Sequence, residues 1–231
     1  MGSFEKNNQR YTITCESKDE TPMVCFWEGE TSVSCPLLLA CKHCTTLFDM
    51  FFDVAEGREL VAEQTTTLPL KYNAISMKLF VDFMVHYDSK SEDEIWNVEK
   101  SKVTAVKLLH SFFQDYVTPA DNRRWQEHVK EHPEDAKPGS DGNWPESKPP
   151  QAYPQYYLTD FINLAMFYNF DAAIEAACFH YANEFIVGKT TEEIRSALHV
   201  HNDMTEEDEK ELDAMFERFK KEQQEVEEME D

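Results

Sequence analysis

Apolar and polar positions change period several times along this chain, and each change marks an expected element. Tyr11 to Thr14 alternates, and Pro22 to Trp27 is a short apolar run. Thr31 to Ser34 reads as strand again after the turn letters Glu28-Gly29-Glu30, so three short strands are predicted. From Cys35-Pro36-Leu37 through Phe52 the period becomes helical. Leu37, Leu38, Cys41, Cys44 and Phe48 share a face, and Pro36 suits the first turn. Thr66 to Leu70 predicts a further strand. Asn73 stands where a cap belongs, ahead of a helix with Ile75, Leu79, Phe80, Phe83, Met84 and Tyr87 on one face. Strands, helix, strand, helix is the order of a small α+β unit.

The pattern shifts after Tyr87. Asp88 to Glu94 is polar. Val103, Val106, Leu109, Phe113 and Tyr116 then predict an amphipathic helix that stops near Pro119, followed by a short helix carrying Trp125 and Val129. Pro133 to Pro154 holds six of the ten prolines, with Gly139 and Gly142, and reads as an exposed, mobile linker. The rest is helical. Leu158, Phe161, Ile162, Ala165 and Tyr168 mark one helix. Asp171 is expected to cap the next, whose inner face would be Ile174, Ala177, Cys178, Tyr181, Ala182 and Phe185. Gly188 follows the last periodic residue, and Thr190 with Glu193 spells a capping box for a short helix carrying Ile194 and Leu198. Thr205 with Asp208 repeats that logic ahead of Leu212, Met215, Phe216 and Phe219.

Composition narrows the class. A 231-residue chain with 41% hydrophobic residues and 16 Phe can bury a sizeable core. Its formal net charge is −23, of which −10 falls between Asp203 and Asp231, where 14 acidic residues face 4 basic ones. Such a balance argues against nucleic-acid partners and against anionic membrane surfaces. No apolar run has the length of a membrane span, and Met1 to Arg10 is polar, without the apolar core of a signal peptide. The expectation is a soluble intracellular protein, in cytoplasm and nucleus. Its six cysteines (Cys15, Cys25, Cys35, Cys41, Cys44, Cys178) should then stay reduced and mostly buried.

Candidate chemistry is thin. Gly188-Lys189-Thr190 has the ending of a phosphate-binding loop, but the glycine required five residues earlier is Asn183, inside a helical pattern. The letters describe a helix end, a link and a helix start. Cys41-Lys42-His43-Cys44 is half of a zinc site with only Cys35 near it, and Cys41 and Cys44 also fit a core face, with His43 on the surface. His199 and His201 would point the same way on an extended segment, a metal pair or, on balance, a solvated turn. No serine or cysteine nucleophile motif is present, and carboxylate pairs carry no specificity in so acidic a chain. No enzyme activity, cofactor, catalytic residue or metal ligand is expected. What remains distinctive is the large apolar set on the last short helices, which either packs on the chain's own core or receives a partner helix.

One long stretch is specific. Phe161-Ile162-Asn163-Leu164-Ala165 is followed in order by Asn169-Phe170-Asp171, Cys178, Ala182-Asn183 and Gly188-Lys189-Thr190. Glu192-Glu193-Ile194-Arg195 and Asn202-Asp203-Met204-Thr205-Glu206-Glu207 come next. This resembles the Skp-type adaptors (S-phase kinase-associated proteins) of SCF ubiquitin ligases. Upstream, Leu68-Pro69-Leu70 with Asn73-Ala74-Ile75 is similar to the BTB/POZ half of that family. The departures are specific too. Thr191 stands where the family has Pro and Met204 where it has Phe. One extra residue precedes Gly188. Met166-Phe167 takes the place of an Asn-Tyr pair on the cullin-facing helix. The 88–154 region is longer than the family's loop, and the tail ends in Phe219 and glutamates rather than in a Trp-containing segment.

The resemblance implies an α+β fold: a BTB/POZ domain with a helical insertion and a C-terminal helical F-box-binding extension. Its parts would be 10–87 for the first BTB/POZ half, 88–154 for the insertion and proline-rich loop, 155–187 for the remaining BTB/POZ helices and 188–231 for the F-box-binding helices with their acidic tail. It implies F-box proteins and a cullin as partners and no active site. By position it assigns F-box binding to Ile194, Leu198, Val200, Asn202, Met204, Phe216 and Phe219, and cullin binding to Met166 and Phe167. Two functions follow as expectations. One is an adaptor bridging an F-box receptor to a cullin; the other is an F-box-binding protein that has lost the cullin and acts outside a ligase. Self-association through the BTB/POZ domain is left open.

Overall fold

A computed structural model of the protein describes residues 2–17, 20–28, 30–53, 58–69, 72–90, 109–139, 144, 153–205, 207–208, 210–212, 214–215 and 218. Among the described residues, six strands form two small sheets. In the first, β1 (Gly2–Lys6) pairs antiparallel with β2 (Gln9–Cys15), which pairs parallel with β5 (Glu59–Ala62). In the second, β3 (Met23–Glu28) lies between antiparallel β4 (Thr31–Pro36) and parallel β6 (Thr65–Pro69). Helices cover these sheets, and the architecture is α+β as expected.

β1 was hidden in the polar decapeptide at the start of the chain. A two-residue turn creates it. Asn7 and Asn8 both have positive φ, 53° and 60°, and Lys6 pairs with Gln9. This is the mirror-image hairpin turn whose twist matches that of the strands, and Asn tolerates it better than most residues. Its one large apolar side chain, Phe4, is buried against Tyr11, Phe48 and Phe52.

The single helix expected over 35–52 is two helices, α1 (Leu37–His43) and α2 (Thr45–Phe52), with Cys44 extended between them at φ −99°, ψ 108°. Pro36 precedes α1 as the end of β4. The break is a tertiary effect: the Thr45 N–H, released from the first helix, donates to the carbonyl of Asn169 on a distant element. α3 (Ala74–Asp88) begins at Asn73 as expected, its side chain accepting from the Ser76 N–H at 2.9 Å. Its inner face is Met77, Phe80, Phe83 and Met84. Ile75, placed inside by periodicity, is 51% exposed in the first turn.

Pro119 does not stop the following helix. Residues 109–112 are helical, Phe113–Val117 forms a π turn, and α4 (Thr118–Glu131) continues through Pro119 and carries Trp125 and Val129. The wide turn, with the Thr118 N–H bonded back to the Phe113 carbonyl, makes room for a proline ring and needs no N–H from it. Leu109 and Phe113 are buried and Tyr116 is exposed, whereas Val103 and Val106 lie outside the described residues. A short 3₁₀ turn follows at Pro133–Ala136.

α5 (Tyr156–Tyr168) and α6 (Asp171–Phe185) complete the core. Phe113 and Phe161 pack edge to face at 5.0 Å, and Phe83 meets both at 5.5 and 5.4 Å. Aromatic burial thus joins α3, the π turn and α5. α6 is out of phase with the expected face. Ala173, Ala176, Ala177 and His180 are inside; Ile174, Tyr181 and Phe185 are half-buried, and Cys178 is exposed. Small alanines let α6 approach α5 closely, which outweighs the larger residues' claim to the interior. Asp171 is the first helical residue rather than the cap, and Phe170 holds the cap position.

All six cysteines are free thiols. Cys35, Cys41 and Cys44 lie wholly in the core, where burial pushes the first two thiols up to about 12 and the third well above its ordinary value. Such thiols favour the protonated, apolar form and not the thiolate that zinc requires. His43 is not a surface residue. It stacks on Phe170 at 5.3 Å and meets Asp88 at 2.8 Å, with only 9% of its side chain exposed. Among the described residues, no helix is long and apolar enough to cross a membrane.

Candidate functional site

The C-terminal helices are joined by three precisely capped links. At the first, Asn169 adopts a left-handed conformation (φ 52°); its N–H bonds the Met166 carbonyl and the Phe170 N–H bonds the Ala165 carbonyl. This pair of bonds is the Schellman C-cap. At the second, α6 unwinds at Ile186 and Val187, and Gly188 turns the chain at φ 74°. Asn183 lies within α6, so the phosphate-loop letters are indeed a helix end. Thr190 then opens α7 (Thr191–Leu198) with a complete capping box: Thr190 Oγ1 accepts from the Glu193 N–H, and Glu193 Oε2 accepts from the Thr190 N–H.

The third link ends α7 with a second Schellman cap. His199 is left-handed (φ 56°), with its N–H toward the Ser196 carbonyl and the Val200 N–H on the Arg195 carbonyl. A β-carbon in that conformation is strained by about 1 kcal/mol. Here the imidazole is held from outside. Trp144 stacks on it at 3.6 Å and 8°, and Trp125 meets it edge-on at 5.0 Å. His201 Nδ1 donates to the Trp144 carbonyl at 2.8 Å. The two histidines are therefore neither a metal pair nor a solvated turn. They are the seat for Trp144, which is itself buried although it comes from the proline-rich stretch.

These links build a groove of about 530 Å³. Tyr72, Tyr156, Thr159, Tyr181, Leu198 and Val200 line it. Gln155 also lines it and donates to the Leu198 carbonyl at 3.4 Å. A smaller depression of about 200 Å³ adjoins it, lined by Trp144, Glu192, Arg195, Val200 and Asn202. Val200 belongs to both and is exposed, as are Ile186 and Val187 near the end of α6. The floor is rigid. Asp160 accepts from Ser76 Oγ at 2.9 Å and Asn73 Nδ2 at 2.8 Å; burial raises its carboxyl, and these bonds counter that. Asp121 of α4 reaches across to the start of α5 and accepts from the Tyr157 and Leu158 N–H groups at 2.7 and 3.1 Å.

Of the expected F-box residues, the structure brings Leu198, Val200 and Asn202 into these two connected depressions. Ile194 is half-buried in the middle of α7. Met204 is half-buried too, its sulfur 3.3 Å from the Arg195 guanidinium and its N–H on Asn202 Oδ1. Phe216 and Phe219 lie outside the described residues; the residues described between 207 and 218 are helical, and Met215 among them is exposed. Met166 and Phe167 stand on the last turn of α5, one helical turn beyond the groove residue Asn163. They are 62% and 43% exposed, and the Phe167 carbonyl accepts from Thr46 of α2. The sequence reading missed Tyr72, Tyr181, Gln155 and Trp144. For Trp144 a signal was available: an indole in a proline-rich run has little local apolar surface to bury it.

Residues 174–218 match the model of the Skp1 family, dimerisation domain. The match starts within α6, crosses Gly188 and α7, and ends among the helical residues beyond Thr205. Through this segment the chain is similar to the Skp1 family, and the fold that carries it is α+β. No curated protein matches the chain significantly.

Proposed function

We propose that this chain is a non-enzymatic adaptor that bridges an F-box substrate receptor to a cullin scaffold in an SCF-type ubiquitin ligase. The observation that carries the reading is the coincidence of the Skp1-family segment with the groove beside Leu198 and Val200. An apolar, aromatic-lined groove with a few fixed polar groups is the surface that an amphipathic helix of a partner needs. The receptor would contact Ile194, Leu198, Val200, Asn202 and Met204, extended by Phe216 and Phe219. The cullin would dock on Met166 and Phe167. The division into a BTB/POZ half at 10–87, an insertion at 88–154, further BTB/POZ helices at 155–187 and an F-box-binding extension from 188 belongs to the same proposal, with β1 added ahead of residue 10. Partner bridging is then a matter of geometry: two apolar faces on one rigid core hold two proteins at a set distance.

A second reading rests on one pair of residues. Where the resembled family carries Asn-Tyr on the cullin-facing helix, this chain offers a thioether and a phenyl ring, neither of which can donate a hydrogen bond. That favours a protein that binds F-box partners without a cullin and sequesters them. The test is a titration of the full chain, preloaded with an F-box domain, against a cullin N-terminal domain. Saturable binding weakened by Phe167→Ala supports the bridge. F-box uptake without cullin binding supports the sequestering protein, and failure to take up any F-box domain removes both.

A further inference from the structure

Away from the groove, two imidazoles and a carboxylate converge. His180 and Glu184 stand four residues apart on α6 and so share a face. His110 reaches them from the helical turn before the π turn. The ligand atoms of all three lie within 4.8 Å of one another. His180 is almost completely buried, stacked on Phe113 at 5.3 Å, and its two nitrogens have separate tasks. Nε2 lies 3.1 Å from the Thr118 hydroxyl, and Nδ1 lies 3.0 Å from Nδ1 of His110.

We propose that His110, His180 and Glu184 form a binding site for a divalent transition-metal ion of the zinc class. With the Thr118 oxygen accepting from Nε2–H, the lone pair of His180 resides on Nδ1 and faces the other two donors. A hydroxyl or carbonyl partner that fixes the tautomer of a ligating histidine is the usual outer support of such sites. Bonds of about 2.0–2.2 Å to nitrogen and oxygen place tetrahedral ligands roughly 3.3–3.5 Å apart, so the two imidazole nitrogens, now 3.0 Å apart, need open by only a few tenths of an ångström, and the flexible Glu184 side chain supplies the remaining adjustment. Two imidazoles with one carboxylate suit Zn²⁺ and Co²⁺ better than the hard cations, which prefer oxygen. Without an ion the two Nδ1 atoms approach one another through a shared proton. With one, the cation takes the proton's place and gains the carboxylate. The ion would clip α6, where the Skp1-family segment begins, to the turn that leads into α4. It would act as a structural brace between those two elements rather than as a reaction centre.

The full-length chain, stripped with a chelator and dialysed, is titrated with ZnCl₂ by calorimetry and with CoCl₂ by visible absorption, and its thermal transition is followed with and without Zn²⁺. The expected result is one high-affinity equivalent, tetrahedral Co²⁺ bands, and a transition raised by Zn²⁺. His110→Gln and Glu184→Gln, both at partly exposed positions, should each weaken binding at least tenfold, while Cys41→Ala leaves it unchanged. Absence of saturable binding in the wild type overturns the proposal. So does binding that survives both substitutions, which would put the ion on the cysteines or on the acidic tail.

Discussion

The indole of Trp144 lies flat on the imidazole of His199, 3.6 Å between centroids, and so joins the proline-rich stretch to the end of α7. The contact secures a residue that must stay left-handed to stop the helix. Val200 and Asn202 follow directly, and their position depends on that stop. Trp144→Ala removes a stacked pair worth about 0.5–1.5 kcal/mol beyond its burial. Amide hydrogen exchange should then accelerate across residues 191–200 while α3 and α5 keep their protection. F-box binding should weaken through loss of preorganisation. Unchanged exchange in α7 would mean that the stack is incidental.

Leu198 and Val200 line the groove, and the proposed function makes them contacts of the receptor. Leu198→Asp and Val200→Asp should each reduce affinity for an F-box domain at least tenfold, about 1.4 kcal/mol, with little change in thermal stability because neither is fully buried. A surface-resonance titration of folded variants decides it. Full affinity in both would move the receptor off this groove.

Asp121 caps α5 from another helix. Asp121→Ala leaves the Tyr157 and Leu158 N–H groups without their acceptor, at a cost of about 1–3 kcal/mol in urea unfolding. The acid itself is pushed up to about 7 by burial, against the pull of those two N–H groups and of Arg124. A carboxyl raised in the folded state contributes stability below its unfolded value of about 3.9, and that contribution disappears as pH rises through about 7. Asp121→Asn, uncharged and nearly isosteric, should flatten that decline. An identical pH profile in wild type and Asn variant would exclude Asp121 from it.

His43 acts in the opposite sense. Burial lowers its imidazole below the ordinary value, with the Asp88 hydrogen bond pulling the other way and the Lys42 and Lys6 charges adding to the fall. Below about 6.5 the unfolded chain takes up a proton that the folded chain resists, so stability falls with pH in that window. His43→Gln should reduce the slope of unfolding free energy between pH 6.5 and the lower folded value. Equal slopes would sink the idea.

Gly188 has no side-chain neighbours within reach of an added β-carbon, so Gly188→Ala tests backbone strain alone. At φ 74° the expected cost is about 1 kcal/mol, read from the urea midpoint. No change would mean that the link relaxes to negative φ without disturbing α7.

Much of this architecture was legible beforehand because it is local. Asn73, Thr190-Glu193 and Thr205-Asp208 act within one helical turn, and their letters are enough to specify a cap. Gly188 likewise needs only its own backbone freedom to turn the chain after α6. The period of apolar residues sufficed for α3, α5 and α7, and the order of side chains from Phe161 to Glu207 carried the family resemblance.

What the tertiary structure decided is whatever needed a distant partner. The break at Cys44 depends on the Asn169 carbonyl. The burial of His43 depends on Phe170 and Asp88. The path of helix through Pro119 depends on a π turn that packs Phe113 against Phe161. Trp144 finds His199, and Asp121 finds the start of α5, across loops whose sequences say nothing of where they lead. A side chain's own chemistry sets what it can pair with. Only the folded chain, by spending loop entropy to bring remote segments together, sets which pairings are made, and the groove beside Val200 is the sum of several of them.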